Sequence, residues 1–244
     1  MWTEKFSIND ALKFGWSSFR QHIGFFIGLM VVLALVTVLP DTIVDKTFEH
    51  DSAGFIVCKL ILRVIGLMFG MAVTRLSLDI TDNGSPNVGA VRELPPLFVS
   101  YFFGTVLYAI VVLIGMLPEV LPVAGLAYAK DSPFLAIACL LAMIPFAIPG
   151  LYLAYLFIYT PYLIIDRQLG PIEALQESRV ITQGAKIHLF LFGLVILGIN
   201  IVGALLLIIG LFVTFPVTLM AFTYIYRRLS PQGNAPSATA VLPA

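Results

Sequence analysis

Two cations, Lys59 and Arg63, lie inside the second long apolar stretch of the sequence, four residues apart. This spacing places both side chains on one face of a helix. A charge inside a bilayer is costly and by default marks a functional site, here one that binds a lipid headgroup or another anion. The structural alternative is that the two side chains reach the outer headgroups, or pair with Asp51 or Glu119.

A second candidate site is a stripe of tyrosines in the fourth apolar stretch, formed by Tyr152, Tyr155, Tyr159 and Tyr162. Spacings of three and four put their hydroxyls on one helix face, and the stripe runs about 21 Å to Asp166. The hydroxyls in the middle of the stripe, on Tyr155 and Tyr159, must find partners inside the bundle. They either bond to backbone carbonyls that nearby prolines leave free, or line a polar groove for substrate or lipid.

The remaining reactive side chains form no recognisable catalytic or metal-binding pattern. The histidines, His22, His50 and His188, fall in separate segments without partners at ligand spacing, and Cys58 and Cys139 lie in apolar runs. Nucleophile, phosphate-loop and dinucleotide motifs are absent from the sequence. We therefore expect no metal, no cofactor and no enzymatic activity.

The composition is that of a protein embedded in a bilayer. Of its 244 residues, 59% are hydrophobic and 11% are charged, against about 25% charged in a typical soluble domain. The formal net charge is zero, so the total says nothing about a nucleic-acid or acidic partner, and only the positions of the charges are informative. We expect no nucleic-acid partner. The first apolar run starts near Ile23 with no cleavage site after it, so we expect no cleavable signal. We expect a single transmembrane helical domain over 1–229 and a disordered cytoplasmic tail over 230–244.

Six apolar runs are long enough to cross the hydrocarbon, which predicts an all-α, polytopic helical bundle. They are Ile23 to Leu39, Phe55 to Thr74, Leu97 to Leu117, Phe134 to Ile165, Ile187 to Ile209 and Leu211 to Tyr226. The last two share a turn near Gly210, and one helix from Leu205 to Tyr226 is the alternative. Pro145 and Pro149 are expected to kink or break the fourth run.

The positive charges between these runs predict the orientation of the chain. One side would hold Lys5, Lys13, Arg20, Arg75, Arg92, Arg167, Arg179, Lys186, Arg227 and Arg228, against Lys46 and Lys130 on the other. Positive residues concentrate on the cytoplasmic side. We therefore expect both termini in the cytoplasm and the protein in the bacterial inner membrane.

Three segments expected on the cytoplasmic side resemble one another and each precedes a pair of spans. They begin at Ser7, Ser85 and Pro171, and the third ends at Gly184. On one face the first carries Ile8, Leu12, Trp16, Phe19 and Ile23. Their spacing predicts three copies of an interfacial amphipathic helix followed by a transmembrane hairpin.

Glycines recur at spacings that allow helices to approach closely. GxxxG steps occur at Gly24 to Gly28 and at Gly66 to Gly70, and the fifth run carries Gly193, Gly198 and Gly203. Small residues favour helix packing in membranes, so we expect a packing role, with a hinge as the alternative.

The chain from Tyr159 to Ser230 resembles bacterial membrane proteins related to the membrane domain of glycerophosphodiester phosphodiesterases. The matching residues are Asp166, Gly170, Pro171, Glu173, Ala174, Leu175, Ser178, Thr182, Gly184, Gly210, Pro216, Tyr226 and Arg227. The pattern contains no catalytic signature, and in relatives the enzyme is a separate soluble domain. The resemblance therefore implies a membrane scaffold and not the phosphodiesterase reaction.

Together these features predict a non-enzymatic scaffold or accessory component that engages membrane lipids or a membrane protein partner. The alternative is a small transporter or lipid-handling protein that uses the tyrosine groove in a broken fourth span. A proton-coupled carrier would carry a buried acid at mid-depth. None is expected from the sequence, which favours the scaffold.

The six-span topology predicts where reporter fusions report. Fusions after Glu49 and Asp131 should report outside, and fusions after Asp82 and Glu177 inside, because an even number of spans separates segments of the same side. Alkaline phosphatase fusions detect segments outside the cytoplasm, and fluorescent-protein fusions detect segments inside it. Any other pattern contradicts the six-span topology.

Overall fold

A computed structural model describes residues 6–49, 52–129, 132–205 and 209–230. Every regular element in these ranges is a helix, which confirms the all-α class. Five helical stretches are long and apolar enough to cross a membrane: Ile23–Thr47, Ala53–Asn83, Pro95–Tyr128, Pro133–Arg167 and Lys186–Leu205. The predicted multi-pass membrane protein is confirmed at this level, and the sixth span and the threefold repeat stay predictions. Lys5, His50, Asp51, Lys130 and, apart from Ser230, the predicted tail over 230–244 lie outside the described residues.

The chain forms two compact units, one from Met1–Phe98 with Leu191–Ala244 and one from Val99–Phe190. The helices in chain order are α1 (Ile8–Gln21), α2 (Ile23–Leu33), α3 (Leu39–Thr47), α4 (Ala53–Asn83), α5 (Phe98–Met116), α6 (Val120–Tyr128), α7 (Pro133–Leu156), α8 (Thr160–Arg167), α9 (Pro171–Thr182), α10 (Lys186–Leu205) and α11 (Ile209–Leu229). The first unit contains α1 to α4, the part of α10 from Leu191, and α11. The second unit contains α5 from Val99, α6 to α9, and the part of α10 up to Phe190. The expected single domain over 1–229 stays a prediction.

In the first unit, α1 packs along α11 through its small side chains. Ala11, Gly15 and Ser18 are buried on α1, and a Cβ added at Gly15 would collide with the backbone carbonyl of Val217. Next to this contact lies a cluster of buried apolar side chains from several helices, namely Phe19, Phe26, Ile80, Val217 and Met220. The small residues bring the two backbones together, and the cluster excludes lipid and water beside them.

The predicted cap of α1 is confirmed, and its apolar face has a buried part and an exposed part. The Ser7 hydroxyl accepts from the Asp10 amide at 3.3 Å. Of the expected face, Phe19 is buried, whereas Trp16 and Ile23 are each 49% exposed. The large side chains outside the α11 contact remain available to a membrane interface.

A π-helical segment, Ala34–Val38, interrupts the first apolar stretch between α2 and α3. The Leu39 amide donates to the carbonyl of Ala34, five residues earlier, and the next residue, Pro40, has no amide hydrogen to give. Local widening of the helix is a common response to such a residue. The Thr37 hydroxyl donates to the Leu33 carbonyl at 2.7 Å within the same region.

The fourth apolar stretch breaks later than expected. Helix α7 runs through Pro145 and Pro149 to Leu156, so the chain does not break at these prolines, and the alternative, a kink there, stays a prediction. The break falls at 157–159, and Pro161 then lies in the first turn of α8. Proline is tolerated in a first turn because its missing amide has no helical partner there.

Two further boundaries differ in detail from the sequence predictions. The middle segment of the three look-alikes forms 3₁₀ turns, Val88–Glu93 and Pro95–Leu97, in place of an α-helix, because consecutive prolines remove the donors that an α-helix needs. Helix α10 is described up to Leu205 and α11 from Ile209, and a Cβ at Gly210 would collide with the Gly203 carbonyl. The two backbones thus approach closely at this hairpin.

Three of the GxxxG glycines, Gly24, Gly28 and Gly66, and Gly198 of the fifth run lie outside these contacts. A Cβ built at Gly24, Gly28, Gly66 or Gly198 would meet no heavy atom within 4 Å. Helix packing inside the described chain therefore uses other glycines, such as Gly15 and Gly203. The packing role expected for the GxxxG steps stays a prediction.

Replacing Gly15 by valine should destabilise the first unit by about 1–3 kcal/mol or more, because the new side chain collides with backbone that cannot rotate away. The matched control is Gly24→Val, since Gly24 is also helical but faces open space. Denaturant unfolding of both variants in detergent measures the difference. Equal losses in the two variants would contradict the close α1 to α11 contact.

Candidate functional site

Lys59 is held by two acids of the neighbouring helical segment. Its ammonium lies 2.8 Å from Asp41 Oδ1 and 2.7 Å from Asp45 Oδ1, and 5.4 Å from the centroid of the Phe55 ring. The two acids are four residues apart on α3 and so share the face that meets α4. Lys59 is therefore an ion-paired residue that joins α3 to α4. Its partners are these two acids, whereas the sequence analysis named Asp51 and Glu119.

Arg63 lies one helical turn beyond Lys59, and its surroundings are different. Among the described residues its guanidinium has neither an ion pair nor a hydrogen bond, and its side chain is exposed. It lines a pocket of about 530 Å³ between α4 and the stretch that joins the π-helical segment to α3. We call this the Arg63 pocket; its polar lining is Thr37, Asp41, Thr42 and Arg63.

The shape and chemistry of the Arg63 pocket suit a small polar group attached to an apolar one. Its volume falls within the range of about 300–1,000 Å³ that is typical of ligand sites. Leu62, Gly66 and Leu67 supply apolar lining, and the space around Gly66 is open. The Thr42 hydroxyl donates to the Val38 carbonyl at 2.8 Å, so its oxygen faces ligands only as an acceptor.

The four tyrosines of the stripe lie in different environments. The Tyr152 hydroxyl accepts from the Lys186 ammonium at 2.7 Å, and the Tyr155 ring meets the edge of Phe190 at 6.1 Å between centroids. Tyr159 is fully buried, with its ring 5.8 Å from that of Tyr162. The polar groove expected from this stripe stays a prediction.

The helix break beside Tyr159 frees one carbonyl, and hydroxyls of α9 satisfy it. The Thr160 amide donates to the Phe157 carbonyl at 3.1 Å, so it no longer serves Leu156. The Leu156 carbonyl instead accepts from Ser178 Oγ at 3.2 Å and Thr182 Oγ1 at 3.1 Å. The freed carbonyl is thus satisfied by serine and threonine, and the expected bonds from tyrosine hydroxyls to carbonyls freed by prolines stay a prediction.

Ser178 also forms a hydrogen bond with the backbone on the other side of the break. Its oxygen accepts from the Tyr159 amide at 3.3 Å, and both Ser178 and Thr182 are fully buried. A buried carbonyl or amide without a partner costs free energy, so this pair of hydroxyls fixes α9 against the break.

The other residues matched to the family pattern cap helices or form turns. Glu173 accepts from the Gly170 amide at 3.3 Å beside Pro171, and Gly184 adopts a φ of 79° after α9, a conformation that favours glycine. Pro216 lies inside α11. Asp166, in the last turn of α8, is half-buried and precedes Arg167. This arrangement fits the structural role that the resemblance implies.

A polar cluster at the end of α4 is not among the sites predicted from the sequence. Asp79 is 6% exposed, with its Oδ1 3.6 Å from Arg75 Nε, and the Arg227 guanidinium of α11 pairs with Asp82. Beside them the Thr223 hydroxyl donates to Ser77 Oγ at 3.1 Å. The four-residue spacing of Arg75 and Asp79 was the available signal. Asp79 is thus a buried acid, located near the end of α4 and away from its middle.

Removing a hydroxyl that satisfies the Leu156 carbonyl should destabilise the second unit. For Ser178→Ala we expect a loss of about 1–3 kcal/mol, because a buried carbonyl and the Tyr159 amide lose a partner. Thr47→Val is the control, since the Thr47 hydroxyl is exposed and bonds only within its own helix. Thermal unfolding in detergent measures both; a stable Ser178→Ala protein would contradict this role.

Comparisons with known proteins leave the assignment of function to the geometry. No family model, curated protein or solved structure matches the chain. The resemblance to the membrane domain of glycerophosphodiester phosphodiesterases accordingly stays a prediction.

Proposed function

We propose that this chain is a non-enzymatic integral membrane protein that binds phospholipid in the Arg63 pocket. The observation that carries the proposal is a guanidinium with no partner among the described residues, lining a pocket within a candidate membrane span. A charge at such a depth needs an opposite charge close by. A lipid phosphate is the anion available in a bilayer.

The contrast with Lys59 supports this assignment. Two carboxylates already neutralise Lys59, so an added anion would gain little from it. No described residue accepts from the five N–H donors of Arg63, and the guanidinium fork matches two phosphate oxygens at once. Of the two cations predicted to form one site, Lys59 is paired with Asp41 and Asp45, and Arg63 contacts the ligand.

The proposed topology has six spans, with both termini in the cytoplasm of a bacterial inner-membrane protein. Helix α11 would be the sixth span, since no charged residue precedes Arg227 within it. The excess of Lys and Arg on one side of this arrangement supports the orientation. The Arg63 pocket would then open toward the outer leaflet.

The same proposal includes the internal repeat and the family relation. Helices α1 and α9, together with the 3₁₀ turns at Val88–Glu93, each precede two apolar helical stretches, as expected of three hairpin repeats with interfacial helices. The cap and turn positions of α9 support a relation to the phosphodiesterase membrane-domain scaffolds. A membrane protein partner would fit the same scaffold role.

Lipid handling is a second candidate function, favoured by one observation. The Arg63 pocket borders the π-helical segment and Pro40, where the first span departs from regular helix. Irregular helices at binding sites recur in transporters. Lipid movement between leaflets in reconstituted vesicles would distinguish this candidate from a static lipid-binding scaffold.

Arg63→Leu should remove specifically bound phospholipid. We expect at least a tenfold lower retained lipid signal in native mass spectrometry of the detergent-extracted protein, because the phosphate loses its partner. Lys59→Leu should instead lower the thermal stability by leaving two acids without their cation.

Arg20→Leu controls for the loss of one positive charge, since Arg20 is exposed on α1 and outside the Arg63 pocket. Lipid retention by Arg63→Leu equal to that of the wild type would refute the proposed function.

A further inference from the structure

We infer that the Arg63 pocket selects an aminophospholipid, with the lipid phosphate on Arg63 and its primary ammonium on Asp41. This inference rests on the proposed lipid-binding function and names the class of lipid. It starts from the presence of opposite charges, a guanidinium and a carboxylate, in the lining of one pocket.

The charge balance around the Arg63 pocket favours a ligand with no net charge. Asp41 and Asp45 together carry two negative charges, and Lys59 and Arg63 carry two positive charges. An anionic lipid would add an uncompensated charge to this neutral group at a depth where net charge is costly. A zwitterionic headgroup adds none.

The arrangement of these charges is nevertheless polarised. Lys59 lies against both Asp41 and Asp45, so these three side chains together carry one net negative charge. The positive charge of Arg63 lies one helical turn away along α4. Four residues on α4 correspond to about 6 Å along the helix axis. An aminoethyl linker separates a phosphate from an ammonium by a distance of this order.

The hydrogen-bonding groups suit an ammonium that carries protons. Asp41 accepts from Lys59 through Oδ1, and a carboxylate offers about four acceptor sites, so it has room for a second donor. The hydroxyls of Thr37 and Thr42 donate to their own helix and present only acceptor oxygens. A primary ammonium has three N–H donors for these groups, whereas a trimethylammonium has none.

The direction of the pocket matches the order of groups in a phospholipid. Along α4, Arg63 lies farther than Lys59 from the start of the helix at Ala53, and Gly66 and Leu67 lie farther still. A lipid in the leaflet nearest the start of α4 has its ammonium outermost, its phosphate deeper and its acyl chains deepest. These groups would meet Asp41, Arg63 and the open space at Gly66 in that order.

A competition experiment tests this headgroup selection. The purified full chain is equilibrated with equal amounts of phosphatidylethanolamine, phosphatidylcholine and phosphatidylglycerol of identical acyl chains, and native mass spectrometry counts the bound lipids. We expect the wild type to retain phosphatidylethanolamine at least fivefold over either competitor.

The decisive variant is Asp41→Asn, with Asp45→Asn as its matched control. Each substitution removes one of the two acids on Lys59, but only Asp41 lines the pocket. Asp41→Asn should bring the ratio of phosphatidylethanolamine to phosphatidylglycerol close to one, and Asp45→Asn should leave it unchanged. Melting temperatures show whether both variants remain folded to a similar extent.

A second pair of variants tests the pocket without changing any charge. Gly66→Leu should fill the open space and reduce bound lipid at least tenfold, whereas Gly28→Leu, at another open glycine outside the pocket, should not. If lipid retention depends on Arg63 but the three headgroups bind equally, the headgroup inference is refuted and lipid binding stands. If the wild type retains no lipid at all, both fail.

Discussion

Every charge and backbone polar group placed within hydrocarbon needs a partner, and the architecture of this protein depends on that constraint. The ion pairs of Lys59 show one solution, since a cation within an apolar helix meets two acids of the adjacent segment. Arg63, one turn away, has no such partner among the described residues. The same physical requirement is thus met by ion pairs at Lys59, and at Arg63 it is the basis of the proposed lipid site.

Backbone groups obey the same rule where the fourth apolar stretch breaks. A helix break frees a carbonyl and an amide, and the hydroxyls of Ser178 and Thr182 bond to them from α9. The short helix is therefore tied to the interrupted span by hydrogen bonds in a buried site. Serine and threonine thus have a structural role at this position.

Close packing provides the remaining stabilisation. Lipid is as apolar as a leucine side chain, so contacts between helices depend on shape. At Gly15 and Gly203 the backbones come close enough that a β-carbon would collide with a carbonyl or side chain of the partner helix. At the end of α4 the polar cluster of Asp79, Asp82 and Arg227 adds charge pairing to this shape fit.

The amino-acid sequence by itself determined the helical membrane class, the approximate limits of the apolar stretches and the caps of α1 and α9. These features follow from composition, helical periodicity and local hydrogen bonding, which depend on near neighbours in the chain. Only the tertiary structure decided which residues pair with Lys59, that Lys59 is ion-paired whereas Arg63 lines a pocket, and which hydroxyls donate to the Leu156 carbonyl. Those contacts join residues of different helices, and the spacing along one helix carries no information about which side chain of another helix it will face.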